Sequence, residues 1–295
     1  MRVVIAGGHG KISQHLLRLL AEQGGNGVAM IRDPAQIADI KALNADAVVI
    51  DLESASTEQV AGVLQGADAV VFAAGAGPGS TVERKDTVDR AGSALLADAA
   101  EQAGVRRFLQ VSSFGAGQPV PEGTDEVFTA YLAAKTAAEE DLTARAGLDW
   151  TVLRPGGLTD EDSTGMVTLS VPPADRGQVP RADVAAVLLA LLDSPDTAGK
   201  VLMLTSGDTP VAAAVAAHAA GGKSRGDGGG LSPARSARGA SQVPGVVRAS
   251  IKKVVGFPGH EQFGRVGYAE DHSPSRAQAR HQRRIFGRDV SSAQA

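Results

Sequence analysis

Near its N-terminus the sequence runs Val3-Val4-Ile5-Ala6-Gly7-Gly8-His9-Gly10-Lys11-Ile12-Ser13, where an apolar run meets a glycine cluster and then a helical apolar pattern. A glycine turn between a strand and a helix presents backbone N–H groups at the positive end of the helix dipole, and such turns bind anions. The spacing Gly7-x-x-Gly10-x-x-Ser13 is a variant of the glycine-rich phosphate-binding turn, with serine as the small third residue. It indicates a nucleotide pyrophosphate site, although an ordinary tight strand-to-helix turn has the same pattern.

Downstream of this turn, short apolar runs alternate with longer helical patterns. Continuously apolar strands that alternate with helices are typical of a parallel sheet covered on both faces. We therefore predict an α/β fold with a doubly wound parallel sheet, a single NAD(P)-binding Rossmann domain over residues 1–220. The predicted strands after the first are residues 28–31, 47–50, 69–72, 108–111 and 150–153, and the predicted helices include 57–64, 82–103 and 129–145.

The carboxyl ends of these strands carry small, polar or charged residues. Ligands of doubly wound sheets bind outside those ends, so the residues there are candidates for cofactor contact. They are the glycine turn, Arg32, Asp51 and Leu52, Ala73-Ala74-Gly75, Ser112-Ser113 and Arg154-Pro155-Gly156-Gly157.

The residue after the second strand distinguishes the two nicotinamide cofactors. A carboxylate there pairs with the ribose hydroxyls of NAD, whereas an arginine suits the 2′-phosphate of NADP. Arg32 comes first, and Asp33 is expected to cap a helix that starts at Pro34. We therefore predict NADP, with NAD left open and a solvated loop arginine as the alternative for Arg32. Asp51 and Leu52 are expected beside the adenine.

The candidate chemistry lies in Tyr131-Leu132-Ala133-Ala134-Lys135, which places a phenol and an ammonium group on one helix face. An ammonium group favours loss of the phenol proton and can also hydrogen-bond a ribose. Ser113 or Ser112, at the end of the fifth strand, could hold a substrate carbonyl beside that phenol. The alternative is a helix-surface tyrosine with a solvated lysine.

These motifs resemble the short-chain dehydrogenase/reductase superfamily, specifically its atypical, single-domain NAD(P)H-binding group with flavin/biliverdin-reductase-like and sugar-epimerase relatives. The resemblance covers about residues 1–217 and implies NADP on the strand ends, Tyr131 as general acid/base, Lys135 orienting it and Ser113 polarising the substrate. The cofactor contacts that it implies, together with the strand ends, are Gly7, Gly10, Lys11, Ile12, Arg32, Asp51, Leu52, Ala73, Ala74, Gly75, Ser112, Lys135 and Pro155.

The function expected on this basis is NADP(H)-dependent oxidation or reduction of a small carbonyl or alcohol substrate. A non-catalytic NADP(H)-binding sensor that regulates a partner is the first alternative, because atypical members often lack a complete catalytic set. An epimerase or a flavin reductase on the same scaffold is the second. Residues 159–180, where the substrate pocket is expected, contain no distinctive motif.

Composition excludes several other classes. The chain of 295 residues has no cysteine, which removes disulfides, thiolate nucleophiles and cysteine-ligated metals. No spacing of His, Asp and Glu suggests a metal site, and Ser112 lies on no nucleophile elbow. No apolar stretch approaches the roughly 20 residues of a membrane span, and no signal peptide precedes the first strand, so a cytoplasmic protein is expected. Monomer and homodimer both remain open.

The composition shifts sharply from residue 221 onward. Residues 221–295 carry 13 Lys and Arg against 5 Asp and Glu and are rich in glycine and serine. Such a segment is typical of a disordered extension. The pairs Lys252-Lys253 and Arg283-Arg284 leave a nucleic-acid or acidic partner open but disfavoured, since aromatic residues are sparse. A third interpretation is an out-of-frame reading of a GC-rich gene.

Overall fold

A computed structural model describes residues 1–77 and 79–219. Its centre is a nine-stranded sheet of order β11-β8-β10-β6-β5-β4-β1-β2-β3. Seven neighbouring strands, from β10 to β3, are parallel, while β8 and β11 pair antiparallel at one edge. The strands are β1 (Arg2–Ala6), β2 (Asn26–Ile31), β3 (Asp46–Val49), β4 (Ala69–Phe72), β5 (Arg107–Val111), β6 (Asp149–Pro155), β7 (Gly157–Thr159), β8 (Met166–Ser170), β9 (Gln178–Pro180), β10 (Lys200–Ser206) and β11 (Thr209–Pro210).

Helices cover both faces of this sheet. The two faces of β1 show why, because Val3 and Ile5 enter one apolar core whereas Val4 and Ala6 enter the other. The first core packs under α1, α7 and α8, and the second under α3, α5 and α6. The helices are α1 (Lys11–Glu22), α2 (Ile37–Lys41), α3 (Thr57–Leu64), α4 (Val82–Arg84), α5 (Gly92–Ala103), α6 (Glu126–Thr143), α7 (Arg181–Leu192) and α8 (Val211–Ala219).

The strand order 3-2-1-4-5-6 within this sheet is that of the dinucleotide-binding Rossmann fold, which confirms the predicted fold class. All six predicted strands are present, with ends that shift by at most two residues. The sheet also contains β8, β10 and β11, which the sequence analysis did not assign. Strands β7 and β9 form a separate parallel pair beyond the end of β6.

The helix predicted over residues 82–103 is one helical path with an irregular middle. Residues Lys85–Ala91, between α4 and α5, form a π-helical segment, and α5 ends at Gly104 with φ +72°. Wide π turns are rare and frequently occur at functional sites. This segment brings Lys85 and Asp89 into the protein interior.

The predicted basic tail, residues 221–295, lies outside the described residues. Within residues 1–77 and 79–219, none of the helices has the length and apolarity that crossing a membrane requires.

Candidate cofactor and substrate site

The glycine turn between β1 and α1 packs directly on its neighbours. Gly7 has φ +75°, and a Cβ atom there would lie 2.6 Å from the Cα of Ala74. A Cβ on Gly8 would lie 2.4 Å from the Cβ of Ala29. Gly10 precedes α1, and no side chain of the described residues caps the helix. The first-turn N–H groups of α1 therefore remain available to an anion, as the pyrophosphate of a dinucleotide requires.

A cavity of about 420 Å³ extends from this turn across the ends of β2, β3 and β4. Most of the predicted cofactor contacts line it, as the rule for strand ends anticipates. They are Gly7, Gly10, Arg32, Asp51, Leu52, Ala73, Ala74 and Gly75.

Two arginines face each other across one carboxylate at the outer end of this first cavity. Glu53 lies 3.4 Å from Arg32 Nη1 and 2.6 Å from Arg84 Nη2. Hydrogen bonds from Arg84 and Thr87 hold the pKa of Glu53 below its usual value. Arg84 was not singled out in the sequence, because it lies far along the chain in the loop-to-helix region after β4. The cavity thus has two guanidinium groups where the sequence predicted one.

Two further cavities follow along the carboxyl edge of the sheet. The second, of about 510 Å³, shares Ala73, Ala74 and Gly75 with the first and is also lined by predicted residues. The third, of about 500 Å³, contains Ser113. Phe128, Tyr131 and Pro155 line both of these, so they form the wall between them. The predicted residues of the second cavity are Ile12, Ser112, Tyr131, Lys135 and Pro155.

The ammonium group of Lys135 is held inside the protein. Its Nζ lies 3.1 Å from Asp89 Oδ1, and both side chains are almost fully buried. The same Nζ is 3.3 Å from the carbonyl oxygen of Val111 and 5.8 Å from the centre of the Tyr131 ring. Lys85 Nζ lies 5.4 Å from that ring and donates to Gly77 O at 2.7 Å. Two cations therefore lie within 6 Å of the centre of the phenol ring.

The two serines at the end of β5 have different environments. Ser112 is buried, and its hydroxyl donates to the carboxylate of Glu139. Glu139 in turn accepts from Arg154 Nε at 3.0 and 3.1 Å. Ser113 is half-buried and lines the third cavity together with Tyr131. Each serine lines a cavity that Tyr131 also lines, Ser112 the second and Ser113 the third, but the Ser112 hydroxyl already donates to Glu139.

Lys11, another predicted cofactor contact, lines none of these three cavities. Its ammonium group pairs with Asp160, which also lies 2.6 Å from Arg181. A hydrogen bond from Lys11 and the charge of Arg181 hold the pKa of Asp160 below its usual value. The pair joins the start of α1 to the segment after β7.

Several residues of the site had no clear signal in the sequence. Lys85 and Asp89 are four apart and could have been recognised as one helix face, but nothing indicated that this face is buried. Glu139 sits in the acidic run Glu139-Glu140-Asp141, which has the pattern of a solvated helix surface. Only its contact with Arg154 across the fold distinguishes it.

Comparisons with known proteins point to the same class of cofactor. The NAD(P)H-binding family model matches residues 7–195. A Bacillus subtilis protein named as an uncharacterized sugar epimerase is 37% identical over 216 residues, which are 73% of this chain and 99% of the relative. A Bacillus halodurans structure, provisionally described as an NAD-dependent epimerase/dehydratase, is 36% identical with a TM-score of 0.68 and covers 74% of this chain and 99% of its own. ChuY, an anaerobillin reductase from Escherichia coli O157:H7, is 26% identical with a TM-score of 0.59, over 70% of this chain and 97% of its own.

Proposed function

The chain belongs to the NAD(P)H-binding family, in its atypical short-chain dehydrogenase/reductase group, and on that premise we propose that it is an NADP(H)-dependent oxidoreductase of a small carbonyl or alcohol substrate. The observation that carries the proposal is the position of Tyr131, which lines both the second and the third cavity. The second cavity continues the dinucleotide cleft and would take the nicotinamide half. The third would take the substrate.

Tyr131 is the proposed general acid. When bound, NADPH supplies a hydride to the carbonyl carbon of the substrate. The phenol gives its proton to the carbonyl oxygen, so that an alcohol forms, and the resulting phenolate regains a proton from solvent. Lys135 and Lys85 stabilise the phenolate by their charge, since both ammonium groups lie within 6 Å of the ring centre. Ser113 donates a hydrogen bond to the same substrate oxygen.

We propose NADP rather than NAD because two guanidinium groups flank the outer end of the first cavity. Arg32 and Arg84 both pair with the carboxylate of Glu53, so two guanidinium groups lie together at this end of the cavity. A 2′-phosphate placed there could accept hydrogen bonds from both arginines, which the 2′-hydroxyl of NAD cannot match as an anion.

The test begins with titration of the full-length protein with NADPH and NADH, followed by carbonyl, quinone and flavin substrates. We expect Tyr131→Phe to lower kcat on a carbonyl by about 10²–10⁴-fold, the usual contribution of a general acid, while the Kd for NADPH changes less than about twofold. Unchanged turnover in this variant would contradict the role of Tyr131. If the protein binds NADPH but reduces none of these compounds, the non-catalytic NADP(H) sensor is favoured. If Tyr131→Phe still reduces flavin but no carbonyl, direct hydride transfer to flavin is favoured.

Epimerisation of a sugar is the second candidate, because the Bacillus subtilis relative is named as a sugar epimerase. In an epimerase the hydride returns to the same substrate carbon, so the cofactor shows no net oxidation. Incubation of the NAD(P)-loaded protein with nucleotide sugars separates the two activities. Product with altered stereochemistry and constant 340 nm absorbance supports the epimerase, and a falling absorbance supports the reductase.

A further inference from the structure

The third cavity has one charged side chain among the described residues that line it. Its surroundings are otherwise apolar or neutral, with Phe114, Phe128 and Leu132 contributing much of the wall. The exception is Arg176, which lies beyond the far end of β6. A cavity whose charged lining is a single cation favours ligands of the opposite charge, and Arg176 is exposed, so its guanidinium group is accessible to such a ligand.

The backbone beside Arg176 is fixed. The amide of Gly157 donates to the carbonyl oxygen of Gly177 at 2.8 Å, and β9 then pairs with β7. A Cβ on Gly156 would lie 2.3 Å from that same oxygen, so the two segments approach closely only because glycine is present. The backbone next to Arg176 therefore has a defined position relative to the end of β6, where Pro155 lines the wall shared with the second cavity.

The guanidinium group of Arg176 has no partner within residues 1–77 and 79–219. No carboxylate of that region lies within ion-pair distance, and no carbonyl or hydroxyl accepts from it. Every other arginine there, except Arg18 on the exposed side of α1, has at least one hydrogen-bond partner. Glu161 and Asp175 line an adjacent cavity of about 820 Å³ that Arg176 also borders, yet neither pairs with it.

We propose that the substrate carries an anionic group, a carboxylate or a phosphate, which Arg176 binds while the reacting carbonyl lies at Tyr131. The inference rests on the proposed oxidoreductase function and specifies its substrate class. A guanidinium group presents parallel N–H donors that match two oxygens of a carboxylate or phosphate. The apolar wall, including the half-exposed ring of Phe128, suits the carbon body between the carbonyl and the anion.

Binding can be tested without turnover. The probes are benzoate, phenyl phosphate and neutral benzyl alcohol, titrated calorimetrically into the protein saturated with NADP⁺. We expect at least one anionic probe to bind about tenfold or more tightly than benzyl alcohol, as a charge-assisted hydrogen bond of ordinary strength requires. Tighter binding of benzoate indicates a carboxylate on the substrate, and tighter binding of phenyl phosphate indicates a phosphate. Arg176→Gln should abolish the difference, and Arg18→Gln, which removes the other unpaired arginine, should leave it intact.

The wild-type protein alone can overturn the inference, whatever the stability of the variant. Equal affinity for all three probes overturns the inference, as does a preference that Arg176→Gln retains. Salt provides a second measurement, since the preference should shrink between about 0.05 and 0.5 M NaCl if it is an ion pair.

Turnover separates this inference from the function on which it rests. We compare benzaldehyde with 4-carboxybenzaldehyde, and glyceraldehyde with glyceraldehyde 3-phosphate. A higher kcat/KM for one charged member, lost in Arg176→Gln with the NADPH Kd unchanged, supports both. Turnover of neutral and charged aldehydes at equal kcat/KM overturns the inference alone. Anion binding through Arg176 without reduction of any carbonyl overturns the proposed reaction but leaves the anion site standing.

Discussion

The ammonium nitrogen of Lys135 lies 3.1 Å from Asp89 Oδ1, and the two side chains are 5% and 0% exposed. The ion pair joins α6, which carries Tyr131, to the π-helical segment before α5. Asp89 Oδ2 also accepts from the amide of Ala76 at 3.0 Å, so one carboxylate anchors both the lysine and the loop after β4. The position of the proposed catalytic lysine thus depends on a residue that the sequence did not identify.

Replacement of Asp89 by asparagine should lower the free energy of unfolding substantially. It leaves the buried charge of Lys135 without a counter-ion, and removal of one partner from a buried pair typically destabilises a protein by about 3–5 kcal/mol. The measurement is the free energy of unfolding from urea titration. Asp86→Asn is the matched control, because Asp86 pairs with Arg90 on the exposed surface and such pairs contribute about 0–1 kcal/mol. Equal losses in the two variants would contradict the importance of the buried pair.

Arg32→Ala and Arg84→Ala should each weaken NADPH binding. Each change removes one guanidinium group from the proposed 2′-phosphate site, and a charged hydrogen bond contributes about 1.5–3 kcal/mol, or roughly tenfold to a hundredfold in Kd. The Kd for NADH should change little, because that cofactor lacks the phosphate. Fluorescence titration with both cofactors measures the effect, with Arg18→Ala as the control. A parallel loss of NADH affinity would indicate a general role in the cleft.

Glu139→Gln should destabilise the protein by about 3–5 kcal/mol, since it leaves the buried guanidinium of Arg154 without its carboxylate. The neighbouring Glu140 is exposed and serves as the control, with an expected effect within about 0.5 kcal/mol. Thermal or urea unfolding measures both. If Glu139 were part of a solvated acidic run, as the sequence pattern suggested, the two variants would behave alike.

Replacement of each of the two serines after β5 by alanine should affect a different property, stability for Ser112 and turnover for Ser113. Ser112→Ala removes a buried hydrogen bond to Glu139 and is expected to lower the free energy of unfolding by about 1 kcal/mol. Ser113→Ala should instead lower kcat on a carbonyl substrate with unfolding unchanged, because that hydroxyl lines the third cavity beside Tyr131. If only Ser112→Ala lowered kcat, the hydrogen bond to the substrate oxygen would have to be assigned to Ser112 and not to Ser113.

Alanine substitutions at two glycines should change the free energy of unfolding in opposite directions. Gly8→Ala places a Cβ 2.4 Å from the Cβ of Ala29, so α1 must move away from β2, at a cost of about 1–3 kcal/mol. Apart from its chain neighbours and the backbone of its own helix, no atom of the described residues lies within 4 Å of a Cβ added to Gly62 in α3, and alanine there should stabilise the helix by about 0.5–1 kcal/mol. Unfolding free energies test both. NADPH affinity should fall only in Gly8→Ala, since that glycine belongs to the phosphate turn.

The sequence predicted those features that depend on neighbouring residues. The glycine turn, the six parallel strands and the residues at their ends follow from local pattern, and the structure places Arg32, Asp51 and Tyr131 in the cavities expected from that pattern. Strand β10 contains an apolar run like those of the six predicted strands, so the sequence could have identified it as a strand. The antiparallel edge strands β8 and β11 are short and only partly buried, so their pattern is weak.

The unpredicted residues share a different cause. Arg84, Asp89 and Glu139 have ion-pair partners 15 or more positions away in the chain, and Asp89 is also buried by its place in the π-helical segment. Neither a long-range contact nor an irregular turn leaves a local spacing rule in a single sequence. Lys11 stays a predicted cofactor contact from its place in the phosphate-turn motif, and the pairing of its ammonium group with Asp160 is a further long-range contact that the motif did not indicate.

Asp183 should make stability dependent on pH in the acid range. Its carboxylate lies at the start of α7 and is fully buried in the fold. Burial alone raises the pKa of this group, but hydrogen bonds from Ser163, Thr164 and Gly165 lower it by more, so the folded pKa lies below the usual value. A depressed carboxyl pKa stabilises the fold above the unfolded pKa of about 3.9, and this contribution disappears as the pH falls through the folded pKa.

The free energy of unfolding should therefore differ between the wild-type protein and Asp183→Asn by a constant amount from pH 7 to about pH 5. Below about pH 4 the difference should shrink, because the carboxyl group becomes protonated in both the folded and the unfolded states. Urea titrations at pH 7, 5, 4 and 3 measure it. Asp208→Asn, at an exposed position without a hydrogen-bond partner among residues 1–77 and 79–219, should show a difference near zero throughout. A wild-type advantage over Asp183→Asn that grew as the pH fell would mean that the folded pKa is raised, and would contradict the stabilising hydrogen bonds to the carboxylate.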